Sequence, residues 1–428
     1  MVSVGQHYDR TARRLTLSFR QSCPPTPGQP AKQPLHIPIR MGLLGNKGEV
    51  LPMHIPGIAD GCEELVLELQ SEQQTFTFEQ LPEQPRVSLL RGFSAPVKLE
   101  LQRSQEELAF LMSHDPDPFN SWEAGQQLAG NIILDLVEDL RNGRKLHLQD
   151  LLVQAWQSLL EKSWDDLSYF SLLLKLPAES YLGEQMEVID IDAIHQAREF
   201  VQQTLAAALQ QQFRRLYQTY HRDESGLFDS AAIGRRRIKN TCLAYLIRLE
   251  SDAVRQWAEQ QFHGAGNMTD QVAALEVIIN SKHPAKQQCL EKFYRQWQDD
   301  DLVIDKWFAL QASSDQPDTL KTVQTLLQHP AFDLHNPNRV RALIGAFVQA
   351  NPVHFHAADG KGYRFLADHV IALNALNPQV AARLCAALTR WRRFDADRQK
   401  LMQVQLQRII ETPDLSRDVY EVVSKSLA

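Results

Sequence analysis

The period of the hydrophobic pattern changes once along this chain, near Ser104, and that change restricts the fold more than any other feature. Before it, apolar residues recur at every second position. Leu15, Leu17 and Phe19 alternate with Arg14, Thr16, Ser18 and Arg20, and Leu35, Ile37, Ile39, Met41 and Leu43 repeat the pattern. Leu65, Leu67 and Leu69, then Phe76 and Phe78, then Val97, Leu99 and Leu101 complete the runs between about residues 12 and 103. A period of two turns one face of a strand inward and the other outward. Turn-forming clusters separate the runs: Pro24-Pro25-Thr26-Pro27-Gly28, Gly45-Asn46-Lys47-Gly48, Pro56-Gly57 and Pro82-Glu83-Gln84-Pro85. Short strands at this spacing predict a small antiparallel β-sandwich over residues 1–103.

Ser104-Gln105-Glu106-Glu107 has the form of a capping box and marks the switch to helix. From there to Ala428 no strand is expected. The clearest helix start is Asn336-Pro337. Asn336 can accept a hydrogen bond from a free N–H of the first turn, and Pro337 suits the first helical position. Val340, Leu343, Ile344 and Phe347 then form one apolar stripe. The device returns at Asn377-Pro378 and, more weakly, at Asn351-Pro352. Further stripes run through Val272, Leu275 and Ile279, through Leu290, Phe293, Tyr294 and Trp297, and through Leu320, Val323 and Leu327. His283-Pro284 and His329-Pro330 stop the first and third. Short turns between consecutive helices predict stacked antiparallel hairpins, an α-superhelical (α-solenoid-like) domain over residues 104–428. No known repeat consensus is present.

With 428 residues the chain exceeds the size at which single cores stop growing, so at least two domains are expected. A net charge of -7 argues against a general nucleic-acid binder. Cys23, Cys62, Cys242, Cys289 and Cys385 are scattered, which suits a reducing, cytoplasmic setting and argues against a cysteine zinc site. No signal peptide is visible, and no apolar run is long enough for a transmembrane span.

The chain carries few signs of a catalytic centre. There is no H-E-x-x-H, no phosphate-binding loop and no nucleophile elbow. His354 and His356 stand two apart and read as surface histidines rather than metal ligands. Gly234-Arg235-Arg236-Arg237-Ile238-Lys239 lacks interleaved aromatics and reads as a solvated helix face. Trp156, Trp257, Trp297 and Trp307 read as core. On the Asn377 helix, Val380, Leu384, Ala387 and Trp391 form the apolar stripe, while Gln379, Arg383, Ala386 and Arg390 form a second one. Gln379 and Arg383 could grip a carboxylate or a peptide backbone, although spacing alone favours an ordinary wet face. Arg339 and Arg341 flank the stripe of the Asn336 helix on opposite edges, so at most one could join such a site.

Several longer stretches resemble a known family. They include Gln33-Pro-Leu-His-Ile-Pro38, Phe93-Ser-Ala-Pro-Val-Lys-Leu-Glu100, Asn267-Met-Thr-Asp270, Asp305-Lys-Trp-Phe308, Asn336 to Phe347, Asn377-Pro-Gln-Val-Ala-Ala-Arg383 and Asp418 to Ala428. Together they resemble the zinc-dependent gluzincin aminopeptidases of the bacterial aminopeptidase N family, over essentially the whole chain. The resemblance covers only that family's small β-sandwich and helical C-terminal domain. It implies that the zinc ligands, the loop that holds the free amine and the oxyanion-stabilising tyrosine belong to a separate catalytic domain. No catalytic or metal residue is therefore transferred, and zinc is a cofactor of the full-length enzyme only. The resemblance further implies that Gln379 and Arg383, with Arg341 as a weaker member, face a chamber beyond the scissile bond. Short peptides would be the substrates, and the catalytic domain of the same polypeptide the partner. Alone, this chain is expected to have no peptidase activity. The competing expectation is a free-standing helical-repeat adaptor.

Overall fold

The computed structural model describes residues 1–222 and 226–428. Its strands are β1 Val2–Asp9, β2 Arg14–Gln21, β3 Ile37–Leu44, β4 Val50–Leu51, β5 Met53–Ile55, β6 Ala59–Cys62, β7 Leu65–Leu69, β8 Gln73–Phe78, β9 Arg86–Leu89 and β10 Leu99–Glu100. One sheet has the order β10-β1-β2-β8, with β10 parallel to β1 and the other pairs antiparallel. In the second, β3 pairs with β4, β7 and β9, all antiparallel. β5 and β6 form a separate hairpin.

The alternation locates the core. Leu15, Leu17, Phe19, Ile37, Ile39, Met41, Leu43, Leu67, Leu69, Phe76 and Phe78 all join one buried cluster shared by the sheets. That is the expected sandwich. Two details differ from the pattern. Leu35 lies outside β3 and is exposed, and the last run shortens to the two residues of β10. Five strands, β1, β4, β5, β6 and β9, lie outside the predicted runs. In β1 only Val2 and Val4 are buried, and in β9 Val87, Ser88 and Leu89 are buried consecutively, so neither alternates cleanly.

Ser104 caps the helix Gln105–His114, its side chain accepting from the Glu107 N–H at 3.2 Å. The Glu107 carboxylate lies 3.9 Å from Arg103. Among the described residues, only helices and turns follow Glu100. All three Asn-Pro starts form as expected: Asn336, Asn351 and Asn377 each accept a first-turn N–H, with proline following. The stripe Val340, Leu343, Ile344 and Phe347 is fully buried. The helix that carries it is interrupted by a π-helical segment, Arg341–Gly345, which the stripe alone does not reveal.

Two compact units divide the chain. The first holds residues 1–132, 148–165 and 172–175; the second holds 133–147, 166–171 and 176–428. The second unit departs from an open solenoid, in which each repeat touches only its neighbours. Residues 183–192 meet residues 390–398. The Ile189 N–H donates to the Arg393 carbonyl at 2.7 Å, and Arg393 donates to the Met186 carbonyl at 2.6 Å. Arg390 pairs with Glu184 at 2.5 Å, and Arg398 with Asp192 at 2.6 Å.

Two expectations about charged residues are corrected. The basic run is a solvated face only in part: it lies in the helix Ser230–Leu246, where Arg237 is exposed but Arg236 and Lys239 are buried. Lys239 Nζ donates to Asp270 Oδ2 at 2.7 Å, and Asp270 also accepts from Asn240 and Asn267, each at 3.0 Å. Arg236 donates to the Leu227 carbonyl at 2.9 Å. Tertiary packing against the helix Met268–Ile279 overrides the composition. His356, expected at the surface, is buried; it bonds Tyr363 Oη at 2.9 Å and stacks on Phe394. The basic-run helix packs closely at Gly234, where a Cβ would lie 3.0 Å from Leu167 Cβ and 3.2 Å from the Ser168 nitrogen.

Two predictions follow from these groups. Lys239→Met leaves a buried carboxylate without its cation, so the chain is expected to lose about 3–5 kcal/mol in denaturant unfolding. The double variant Lys239→Met/Asp270→Leu should recover much of that loss. A single variant as stable as the parent would refute the network's importance. His356 is held neutral, its pKa pushed from 6.5 down to about 3 by burial, with Arg398 adding to the effect. Between those values the unfolded state binds more protons, so this group's contribution to stability falls as pH drops from about 6.5 to 3. His356→Gln should therefore melt with a shallower pH dependence between pH 6.5 and 4 than the parent.

Candidate functional site

The helix Pro378–Cys385 begins where Asn377 accepts from the Val380 N–H at 3.2 Å. Ala381, Leu384 and Cys385 are its buried face, continued by Leu388 in the 3-10 turn Ala386–Leu388. The predicted apolar stripe is thus rotated, since Val380 and Ala387 are only half-buried. The α-helix also ends earlier than the pattern suggested. Arg390 precedes a second 3-10 turn, Trp391–Arg393, and faces Glu184, so it does not extend the stripe of Gln379 and Arg383.

Gln379 and Arg383 are both exposed and stand one turn apart on one side of this helix. Among the described residues, neither side chain has a hydrogen-bond or ion-pair partner. An amide with two donors and a guanidinium with five are therefore free to meet a ligand. Arg341 is exposed too, at the start of the π-helical segment, where its Nε donates to the Pro337 carbonyl at 3.2 Å. The two helices approach each other on their buried sides: a Cβ on Gly345 would lie 3.9 Å from Leu384 Cδ2.

Arg339 belongs to no such face. It is buried, donates to the carbonyls of Ala331 and Asp301, and pairs with Asp301 at 2.7 Å and with Asp305. Of the two arginines that flank the stripe, only Arg341 is left for a ligand.

One charged cavity of the second unit was not foreseen. It encloses about 350 Å³ and is lined by Glu179, His195, Glu199, Arg248 and Asp315 among others. His195 bonds Glu179 at 2.8 Å, and this carboxylate raises the imidazole's proton affinity against the opposing effect of burial. Arg248 pairs with Glu199 at 2.8 Å and Asp315 at 3.3 Å. These charges satisfy one another. They come from distant segments, so no local motif could have announced them.

The described residues do not suit zinc. No group of three His, Cys, Asp or Glu is placed to hold a metal ion. His354 directs Nε2 to the Asp315 carbonyl at 2.9 Å, and His356 directs Nδ1 to Tyr363, so the pair shares no ligand-binding direction. A catalytic zinc needs three protein ligands around one open position. No helix among the described residues is long and apolar enough to cross a membrane.

Comparison with known proteins agrees with this architecture. Residues 1–102 match a domain of unknown function described as an Ig-like fold (DUF3458), and residues 105–428 match its companion described as ARM repeats (DUF3458_C). The chain is 38% identical to aminopeptidase N of Escherichia coli over 428 residues, all of this chain and 49% of that protein. It is 36% identical to aminopeptidase N of Haemophilus influenzae, over 99% of this chain and 48% of that protein. A crystal structure of Legionella pneumophila aminopeptidase A in complex with aspartic acid superposes with a TM-score of 0.85 at 29% identity, covering all of this chain and 48% of that one. The chain thus spans about half the length of the curated relatives it matches. It belongs to the bacterial aminopeptidase N family, as a homologue of the C-terminal half of its members.

Proposed function

We propose that this chain serves as the non-catalytic half of a zinc aminopeptidase that removes N-terminal residues from short peptides. Its partner is the catalytic domain of the same polypeptide, and zinc chemistry belongs to that domain. The helical unit roofs the chamber, so that short peptides enter and folded proteins do not. Gln379 and Arg383 line the wall beyond the scissile bond, with Arg341 on the neighbouring helix. Arg383 holds the terminal carboxylate of a short peptide through charge-assisted hydrogen bonds, and Gln379 meets the peptide backbone. The observation that supports this reading is the pair of exposed, unpartnered donors one turn apart, on a chain homologous to half of aminopeptidase N. The free state of all five cysteines supports a reducing setting such as the cytoplasm.

The purified chain alone is expected to release no amino acid from an aminoacyl-anilide, with or without zinc. Mixed with the remaining half of the Escherichia coli relative, it should restore or alter turnover. On a dipeptide substrate, Arg383→Ala should then raise KM by roughly tenfold or more, the worth of one charge-assisted hydrogen bond. Gln379→Ala should act in the same direction and less strongly. An unchanged rate and KM in both variants would remove these residues from the pocket.

A further inference from the structure

A turn in the first compact unit holds a backbone that its residues disfavour. Leu90, Gly92 and Phe93 have φ of +58°, +59° and +51°. Glycine accepts that region freely, whereas leucine and phenylalanine do so at a cost. Arg91 points inward from the middle of the turn. It is buried, its Nε donates to Ser88 Oγ at 2.9 Å, and its guanidinium lies 3.7 Å from Asp115. That guanidinium occupies the space beside Gly42, where any Cβ would lie 2.3 Å from it. The Gly92 N–H is tied to Asp117 Oδ2 at 2.9 Å.

With Arg91 fixed inward, Phe93 is turned out and remains 53% exposed. Its ring centroid lies 5.1 Å from that of Phe119, which lies 6.0 Å from Trp122. Phe119 and Trp122 are half-buried. Three aromatics thus line up at the surface, with Asp117 and the Arg40–Glu64 pair beside them. Aromatic centres with polar rims are the composition of protein interfaces. Strain of this kind persists where surrounding structure imposes it, and it collects at functional places. A turn with only water to face would be better served by glycine or asparagine at position 93.

Resting on the reading above, we propose that Phe93, Phe119 and Trp122 form a contact surface for the catalytic half of the enzyme. The occupant follows from length. Each curated relative carries about as much chain again as the part matched here, and that chain must pack beside this one. An aromatic patch held outward by a strained turn suits a permanent neighbour better than solvent.

The test titrates the remaining half of the Escherichia coli relative into this chain by calorimetry. Phe93→Gly should keep the parent's melting temperature, since glycine accepts this φ, and should bind at least about tenfold more weakly. Phe93→Tyr, which keeps the ring, should bind like the parent. Equal affinity of parent and Phe93→Gly overturns the surface, and the pocket reading stands if Arg383→Ala still raises KM. A parent chain that does not bind that half overturns both the surface and the association. A parent that sediments as a dimer, broken by Phe93→Gly, overturns the assigned occupant in favour of a second copy.

Discussion

Arg398 joins three distant stretches of the helical unit. Its Nε donates to the His356 carbonyl at 2.7 Å, one Nη to Asp395 at 2.8 Å and the other to Asp192 at 2.6 Å. Two of these partners lie 42 and 206 residues away in sequence. A guanidinium suits this work because its donors diverge in one plane and it stays charged. Together with Arg390 and Arg393 it fastens residues 390–398 onto residues 183–192. The helix that carries Gln379 and Arg383 lies between His356 and this latch in sequence and packs against the helices Lys361–Leu376 and Arg417–Leu427. Its position therefore depends on the latch as well as on its immediate neighbours.

The same logic recurs inside the unit. Lys239 pairs with Asp270, and Arg339 with Asp305. Asp270, Asp305 and Arg339 fall in stretches that carry the family resemblance, Asn267–Asp270, Asp305–Phe308 and Asn336–Phe347. These three stretches thus each supply a member of an ion pair. Burying a charge costs several kcal/mol unless a partner and further hydrogen bonds meet it, so such pairs fix which helices lie side by side. Gln379 and Arg383 are different: they sit in such a stretch, exposed, and among the described residues they have no hydrogen-bond or ion-pair partner.

Much of this was legible from residue order alone. The alternation in Leu15–Phe19 and Ile37–Leu43 identified strands because a sandwich buries every second residue. Ser104, Asn336, Asn351 and Asn377 announced helix starts because a cap is a local hydrogen bond. That Gln379 and Arg383 share a side of their helix also follows from residue order, since four residues make about one turn. The burial of Lys239, Arg236 and His356 was not legible. Whether a cation faces water depends on a partner far away in sequence, and Lys239 finds Asp270 thirty-one residues on.

Local periods, helix caps and family membership can be read from residue order, because each is written in residues close together or in continuous stretches. Tertiary structure alone decided that the helical array closes on itself through Arg398, that Arg339 turns inward while Arg341 turns out, and that a π-helical segment interrupts the Asn336 helix. The closure through Arg398 and the inward turn of Arg339 rest on contacts between segments tens to hundreds of residues apart. No window along the chain contains both partners of such a contact, so only the folded packing can choose between them.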